Sequence, residues 1–289
     1  MKYGVYYAYW ETQWAADYVK YCKKVKNLGF DILEIAGGGL GDMTDGERRE
    51  LRDVSKDLGI TLTTGIGLPA DVNVSSLDES VRRKGIDYMK HLIRCMDAID
   101  SRSIGGTVHA YWPADYSKPF DKEAERAQSI KSVLELSDYA ADYGVTLLIE
   151  TLNRFEQYLI NDSHEALAYM QDVNRENVKM LLDVFHMNIE EDSIAEGIRR
   201  LKGYIGEIHA GEKNRKVPGK GTMPWDEIAQ ALHEVGFDGN VVMEPFVRPG
   251  GIVGSDVKLW RDLSGGADEA KLDQDIAESL VFLKGKLEK

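Results

Sequence analysis

A single-domain (β/α)8 barrel over residues 1–289 is the fold this sequence predicts. Strand-like and helix-like segments alternate from end to end. Glycines mark the helix-to-strand joins at Gly29, Gly59, Gly144 and Gly236. Four consecutive strands each end in a side chain able to ligate a metal. The alternative is an open doubly wound sheet. Such a sheet more often carries a glycine-rich phosphate turn in its first βα unit. Here Gly37-Gly38-Gly39 follows the second strand and reads as a flexible βα loop.

Taken in order, the pattern predicts a first strand over Tyr3–Tyr7 and a helix over about Ala15–Asn27, with Tyr18, Cys22 and Val25 at helical spacing. A second strand follows at Phe30–Ile35 and a helix at Asp45–Leu58. The third strand is Ile60–Thr64 and its helix about Leu77–Ile99. The fourth strand, Ser103–Val108, opens into the aromatic loop Tyr111-Trp112-Pro113 before a helix over about Lys122–Tyr143. Strands then fall at Val145–Ile149, Val178–Leu182, Tyr204–Ile208 and Asn240–Met243. Their helices are Ser163–Val173, Ser193–Leu201, Pro224–Val235 and the tail from Glu269 to Lys289.

Composition narrows the function. The formal net charge is -13 over 289 residues, and the pI is about 5.0. Such a surface repels nucleic acid and anionic membranes, so neither is an expected partner. No apolar run approaches the ~18 residues needed to span a bilayer. The start, Met1 to Tyr7, lacks the apolar core of a signal peptide, which makes a cytoplasmic location the expectation. Cys22 and Cys95, both in helical patterns, read as buried small hydrophobes rather than a disulfide.

The chemistry is carried by Glu150, Asp183, His209 and Glu244, each placed at or just beyond the C-terminal end of an apolar strand. They lie 33, 26 and 35 positions apart, close to the ~30 residues of one βα unit. In a parallel barrel that end of the strands carries the chemistry. Three carboxylates and one imidazole suit Mn²⁺, Mg²⁺ or Co²⁺ better than a metal that prefers thiolates. Without a cation the carboxylates would repel each other and take up protons.

Other polar residues near strand ends have weaker signals. His186, three residues past Asp183, reads as a substrate contact or as a partner to a metal ligand. His109, just past strand four, reads as a structural histidine, and His91, His164 and His233 fall on helix patterns. By composition alone Arg154 and Arg215 are solvated loop charges, although a guanidinium near a metal could orient oxygens. Tyr6, Trp14, Trp112 and Phe246 stand at or near strand ends, where aromatic faces can stack on sugar C–H groups or simply pack.

Several stretches together resemble the ketose 3-epimerases, the D-tagatose and D-allulose (D-psicose) 3-epimerase group of the xylose-isomerase-like barrels. They are Gly4 to Glu11, Gly29 to Ile35, Leu152 to Glu156, Asp183 to Glu191, Val217 to Gly221, Met243 to Phe246, and Trp260-Arg261-Asp262. The resemblance covers nearly the whole chain. It implies C3 epimerisation of a free ketose such as D-fructose, D-tagatose or L-ribulose. It implies one divalent metal per subunit, Mn²⁺ or Co²⁺, on Glu150, Asp183, His209 and Glu244. Glu150 and Glu244 would be the acid/base pair, and Glu156, His186 and Arg215 would hold the O1–O3 end of the sugar. Tyr6, Trp14, Trp112, Phe246, Thr107 and Gly67 would line the pocket, and a homodimer or homotetramer is expected.

Some positions depart from the family pattern: the glycine loop Gly37 to Gly41, Leu68, Thr107, His109 and Lys213. All are expected to border the pocket for the far end of the sugar, and so bear on substrate preference rather than on the reaction. Rival readings are an aldose–ketose isomerase, an epimerase of phosphorylated ketoses using Arg215, Lys216 and Lys220, and a sugar-binding protein without turnover. A barrel nuclease of the apurinic-endonuclease type would want a histidine-rich multi-zinc site and a basic groove. Six histidines and the acidic charge speak against it.

Overall fold

The computed structural model describes residues 1–288. Eight strands pair in parallel in sequence order: β1 (Lys2–Tyr6), β2 (Ile32–Ala36), β3 (Thr61–Ile66), β4 (Ser103–Gly106), β5 (Thr146–Glu150), β6 (Val178–Asp183), β7 (Ile205–Ala210) and β8 (Asn240–Met243). β8 returns to β1, so the barrel is closed, as the sequence predicts, and the doubly wound alternative is excluded. The strands are apolar because both their faces are covered, one by the barrel interior and one by helices.

The helices are α1 (Tyr18–Asn27), α2 (Gly37–Asp42), α3 (Asp45–Leu58), α4 (Glu79–Ala98), α5 (Lys122–Ala141), α6 (Ser163–Val173), α7 (Val184–Glu190), α8 (Ile194–Arg200), α9 (Trp225–Val235), α10 (Gly251–Asp256) and α11 (Glu269–Leu287). Their ends follow local chemistry. Thr44 and Glu47 form a capping box at the start of α3. Gly59 (φ 66°) and Gly236 (φ 72°) take the left-handed conformation that ends α3 and α9. On α4, Ile86, Met89, Ile93 and Met96 recur at helical spacing and are fully buried. Each such side chain stabilises the fold by about 1.5–3 kcal/mol. No helix among the described residues is long and apolar enough to cross a membrane.

The sequence reading missed three short helices. Gly37-Gly38-Gly39, expected as a flexible loop, opens α2. A Cβ on Gly37 would lie 3.2 Å from Thr64 Cγ2 and one on Gly39 3.1 Å from Tyr18 Oη, so bare glycines let this turn lie close to the barrel. α7 and α10 are too short to show a helical period. The Asp183 side chain caps α7, accepting from Phe185 N at 2.8 Å. Strand β4 ends two residues early, at Gly106, whose φ of 103° leaves the extended conformation. The final helix stops at Leu287, while Lys289 lies outside the described residues.

One irregularity sets the register of the site. Met180 pairs with Ile205 but Leu181 with Glu207, so Gly206 is skipped and β7 slides by one residue. Asp183 thereby lies directly beside His209. A Cβ on Gly206 would come within 2.7 Å of Leu148 Cδ2, and one on Gly105 within 2.6 Å of Leu181 Cδ1. Large and bare positions thus alternate in the barrel interior and allow it to close.

Candidate active site

Glu150 and Asp183 are the last residues of β5 and β6, His209 is the penultimate residue of β7, and Glu244 follows β8. One ligand atom from each lies within 4.8 Å of all the others. His209 Nδ1 is 3.6 Å from Glu244 Oε2 and 3.9 Å from Glu150 Oε1. Both ring nitrogens are buried without a hydrogen-bond partner among the described residues. The other nitrogen, Nε2, faces Glu34 Oε1 at 3.2 Å and Glu207 Oε1 at 3.7 Å. A carboxylate behind the far nitrogen is how ligand imidazoles are held in orientation. A buried, unpartnered nitrogen gathered with three carboxylates is a donor set that fits a hard divalent cation.

Electrostatics separates the two glutamates. Burial and the Glu244 charge push Glu150 well above the usual carboxylate range. Burial also acts on Glu244, but the Arg215 and His209 charges outweigh it and hold that group down to about 2. Burial opposes charge on His209, yet Glu34 and Glu244 raise it well above its ordinary value.

Arg215, a solvated charge by composition, is turned inward. Its Nη1 donates to Asp183 Oδ2 (2.6 Å) and Glu244 Oε2 (2.8 Å), and its Nη2 lies 3.1 Å from His186 Nε2. The guanidinium sits 4.0 Å from the Phe185 ring centroid. Its backbone has φ 64°, a conformation that costs a non-glycine residue free energy and collects at functional sites. Arg154 does stay at the surface, 62% exposed and paired with Glu190. His186 is buried, with Asn153 Nδ2 2.7 Å from its Nδ1. Glu156 accepts from Trp112 Nε1 and Asn153 Nδ2, both at 2.9 Å.

These groups open into one cavity of about 340 Å³, the size range of a small-molecule site. Tyr6, Trp14, Gly67, Thr107, Trp112, Glu150, Glu156, His186, His209, Arg215, Glu244 and Phe246 all line it, while Asp183 does not and reaches it only through its bond from Arg215. Tyr6, Trp14 and Phe246 meet with centroids 6.3–6.4 Å apart. Trp14 is pinned by Asp256 of α10 through its Nε1 (2.7 Å). Thr107 contributes shape only: its hydroxyl accepts from Leu68 N (3.1 Å) and donates to Ile66 O (3.4 Å).

Three of the departing positions do not line the cavity. Leu68 is buried in the apolar core. His109 points away toward Tyr169, their ring centroids 6.0 Å apart. Lys213 is exposed on its loop. Of the basic groups that could have marked a phosphate site, Lys220 is tied to Asp275 of α11 and neither it nor Lys216 lines the cavity. The sequence reading missed Glu34, Glu207, Tyr88 and Asp256. A glutamate inside the apolar runs Ile32–Ile35 and Ile205–Ile208 was a readable signal for the first two. Tyr88 and Asp256, from helices of the outer layer, had none.

Comparison with known proteins agrees with this geometry. A family model described as xylose isomerase-like TIM barrel matches residues 22–277. The D-psicose 3-epimerase of Agrobacterium fabrum is 47% identical over 282 residues, 98% of each chain. A solved structure of a D-psicose 3-epimerase in the presence of D-fructose has a TM-score of 0.98 at 46% identity, covering 100% of both chains. Another, the Clostridium cellulolyticum H10 enzyme with D-tagatose, has a TM-score of 0.98 at 48% identity over 99% of both. The chain belongs to the xylose isomerase-like TIM barrels and, within them, to the ketose 3-epimerases, enzymes of the isomerase class.

Proposed function

We propose that this chain epimerises free ketoses at C3, interconverting D-fructose with D-allulose and D-tagatose with D-sorbose, with L-ribulose as a further substrate. The observation that carries the reading is the convergence of Glu150 and Glu244, from β5 and β8, on one cation-type donor set inside the cavity. A divalent ion, Mn²⁺ or Co²⁺, held by Glu150, Asp183, His209 and Glu244 supplies Lewis-acid stabilisation of negative charge on the substrate oxygens.

The residues of the chain do the rest. The C3 proton of a ketose, beside the C2 carbonyl, is weakly acidic. One glutamate removes it, giving a cis-enediolate, and the other returns a proton to the opposite face, which inverts C3. Two groups are needed because a single base tends to return the proton to the face it left. Glu156, His186 and Arg215 hold the O1–O3 end of the open-chain sugar. Tyr6, Trp14, Trp112 and Phe246 supply apolar walls, with Gly67 and Thr107 shaping the space beyond.

The test is turnover of D-fructose, D-tagatose, L-ribulose and D-xylulose by metal-stripped protein, with and without added Mn²⁺ or Co²⁺. The expected result is a C3 epimer formed only with metal. An aldose product would replace this reading with an isomerase, and no product from any sugar would overturn it.

A further inference from the structure

Glu212 is fully buried, lies two positions beyond the end of β7, and does not line the cavity. Its carboxylate is nevertheless the centre of the 211–225 loop. Gly219 N (2.7 Å) and Trp225 Nε1 (2.9 Å) donate to Oε1, and Met223 N (2.9 Å) donates to Oε2. The same residue's backbone ties the tip of the loop. Glu212 N donates to Lys216 O (3.0 Å), and Glu212 O accepts from Arg215 N (2.9 Å). That last bond closes the turn in which Arg215 holds φ 64°. Phe246 N, donating to Arg215 O (2.9 Å), completes the fixation.

We propose that Glu212 is a positioning residue for the reaction: by gathering the far half of its loop onto one carboxylate, it holds Arg215 in its strained turn and aims the guanidinium between Asp183 and Glu244. A left-handed turn at a non-glycine residue costs free energy and persists only where the surroundings over-determine it. The three donors on Glu212 are that over-determination. The inference rests on the function proposed above for Arg215 but has its own readout.

Two substitutions perturb the clamp without entering the cavity. Glu212→Gln keeps the shape but puts an NH₂ group against an N–H donor, because donors reach both carboxylate oxygens. Gly221→Ala keeps the glutamate and displaces it, since the new Cβ would stand 2.3 Å from Oε2. Each variant is compared with Arg215→Ala and with the double variant carrying Arg215→Ala. The readouts are kcat/KM for D-fructose and, separately, the Mn²⁺ dissociation constant by titration.

Glu212→Gln is expected to lose roughly 10–100-fold in kcat/KM, the usual cost of disturbing a supporting partner. It should shift Mn²⁺ affinity in the same direction as Arg215→Ala, because both take a cation away from Asp183 and Glu244. Neither change should grow when it is added to Arg215→Ala. Gly221→Ala should repeat the pattern, which keeps the idea open to test where Glu212→Gln folds poorly. Losses that simply add to those of Arg215→Ala would overturn the proposal and leave Glu212 a structural residue. Were the wild type to turn over no ketose, the proposed function would fail, while the Mn²⁺ titrations would still decide the role of Glu212.

Discussion

Gly67→Ala tests how the cavity positions Glu156. A Cβ at residue 67 would stand 2.6 Å from Trp112 Cε3, whereas ordinary contact begins at 3.4 Å. Gly67 is not in the left-handed region, so space alone decides the outcome. The indole must retreat by about 0.8 Å, and Trp14 already packs edge-on against it with ring centroids 6.3 Å apart. The retreat stretches the 2.9 Å bond from Trp112 Nε1 to Glu156 Oε2 and leaves Asn153 as the remaining donor. A hydrogen bond to a charged group is worth about 1.5–3 kcal/mol, or roughly 10–150-fold in an equilibrium constant. The expected result is a rise in KM for D-fructose of that order, with kcat changed by only a few fold. Steady-state kinetics on metal-loaded protein measures it, with Trp112→Phe as the companion that removes the same donor without adding bulk. If Gly67→Ala retains the wild-type KM, the chain of contact from residue 67 to Glu156 is wrong.

Glu150→Gln and Glu244→Gln should each fold normally and lose about 10²–10⁴-fold in turnover, the usual contribution of a general acid or base; near wild-type turnover in either would remove that residue from the role. Chelation should lower the melting temperature, because a cation at 100 times its dissociation constant adds about 2.7 kcal/mol, which is about 4 °C for a chain this long; an unchanged melting temperature on metal addition would contradict the site. Burial pushes His109 down from 6.5 to about 3, with neither ring nitrogen hydrogen-bonded among the described residues. Between those values the unfolded chain binds the extra proton, so stability falls as pH drops from 6.5 and levels off below about 3. By pH 5 the loss is about 2 kcal/mol, and His109→Phe should lack it. Parallel stability profiles for His109→Phe and wild type between pH 7 and 5 would show that the ring does not drive the acid sensitivity.

How much of the site was legible depends on what kind of physical signal each residue leaves. Glu150, Asp183, His209 and Glu244 stand out because each interrupts or follows an apolar strand, and a closed parallel barrel brings successive strand ends together. Their convergence needs one thing the pattern does not display, the one-residue slip at Gly206 that sets Asp183 beside His209. Arg215 leaves no such trace. A loop arginine is ordinarily solvated, and only the resemblance assigned it to substrate. Its inward turn is imposed by contacts that no sequence period reports: Glu212 draws in Gly219, Met223 and Trp225 of the same loop, and Phe246 arrives from beyond β8. A helical or strand period reports which face of one element is buried. It carries no information about a loop whose conformation is set by a single buried carboxylate. The same limit explains α2, where glycines that look flexible are instead required for close approach to Thr64 and Tyr18. It also accounts for Leu68, His109 and Lys213, which share the strand ends with the pocket residues but turn toward the core, the outer layer and solvent. Substrate preference in this barrel is therefore better sought at Gly38, Gly39, Pro69 and Tyr88, which do line the cavity.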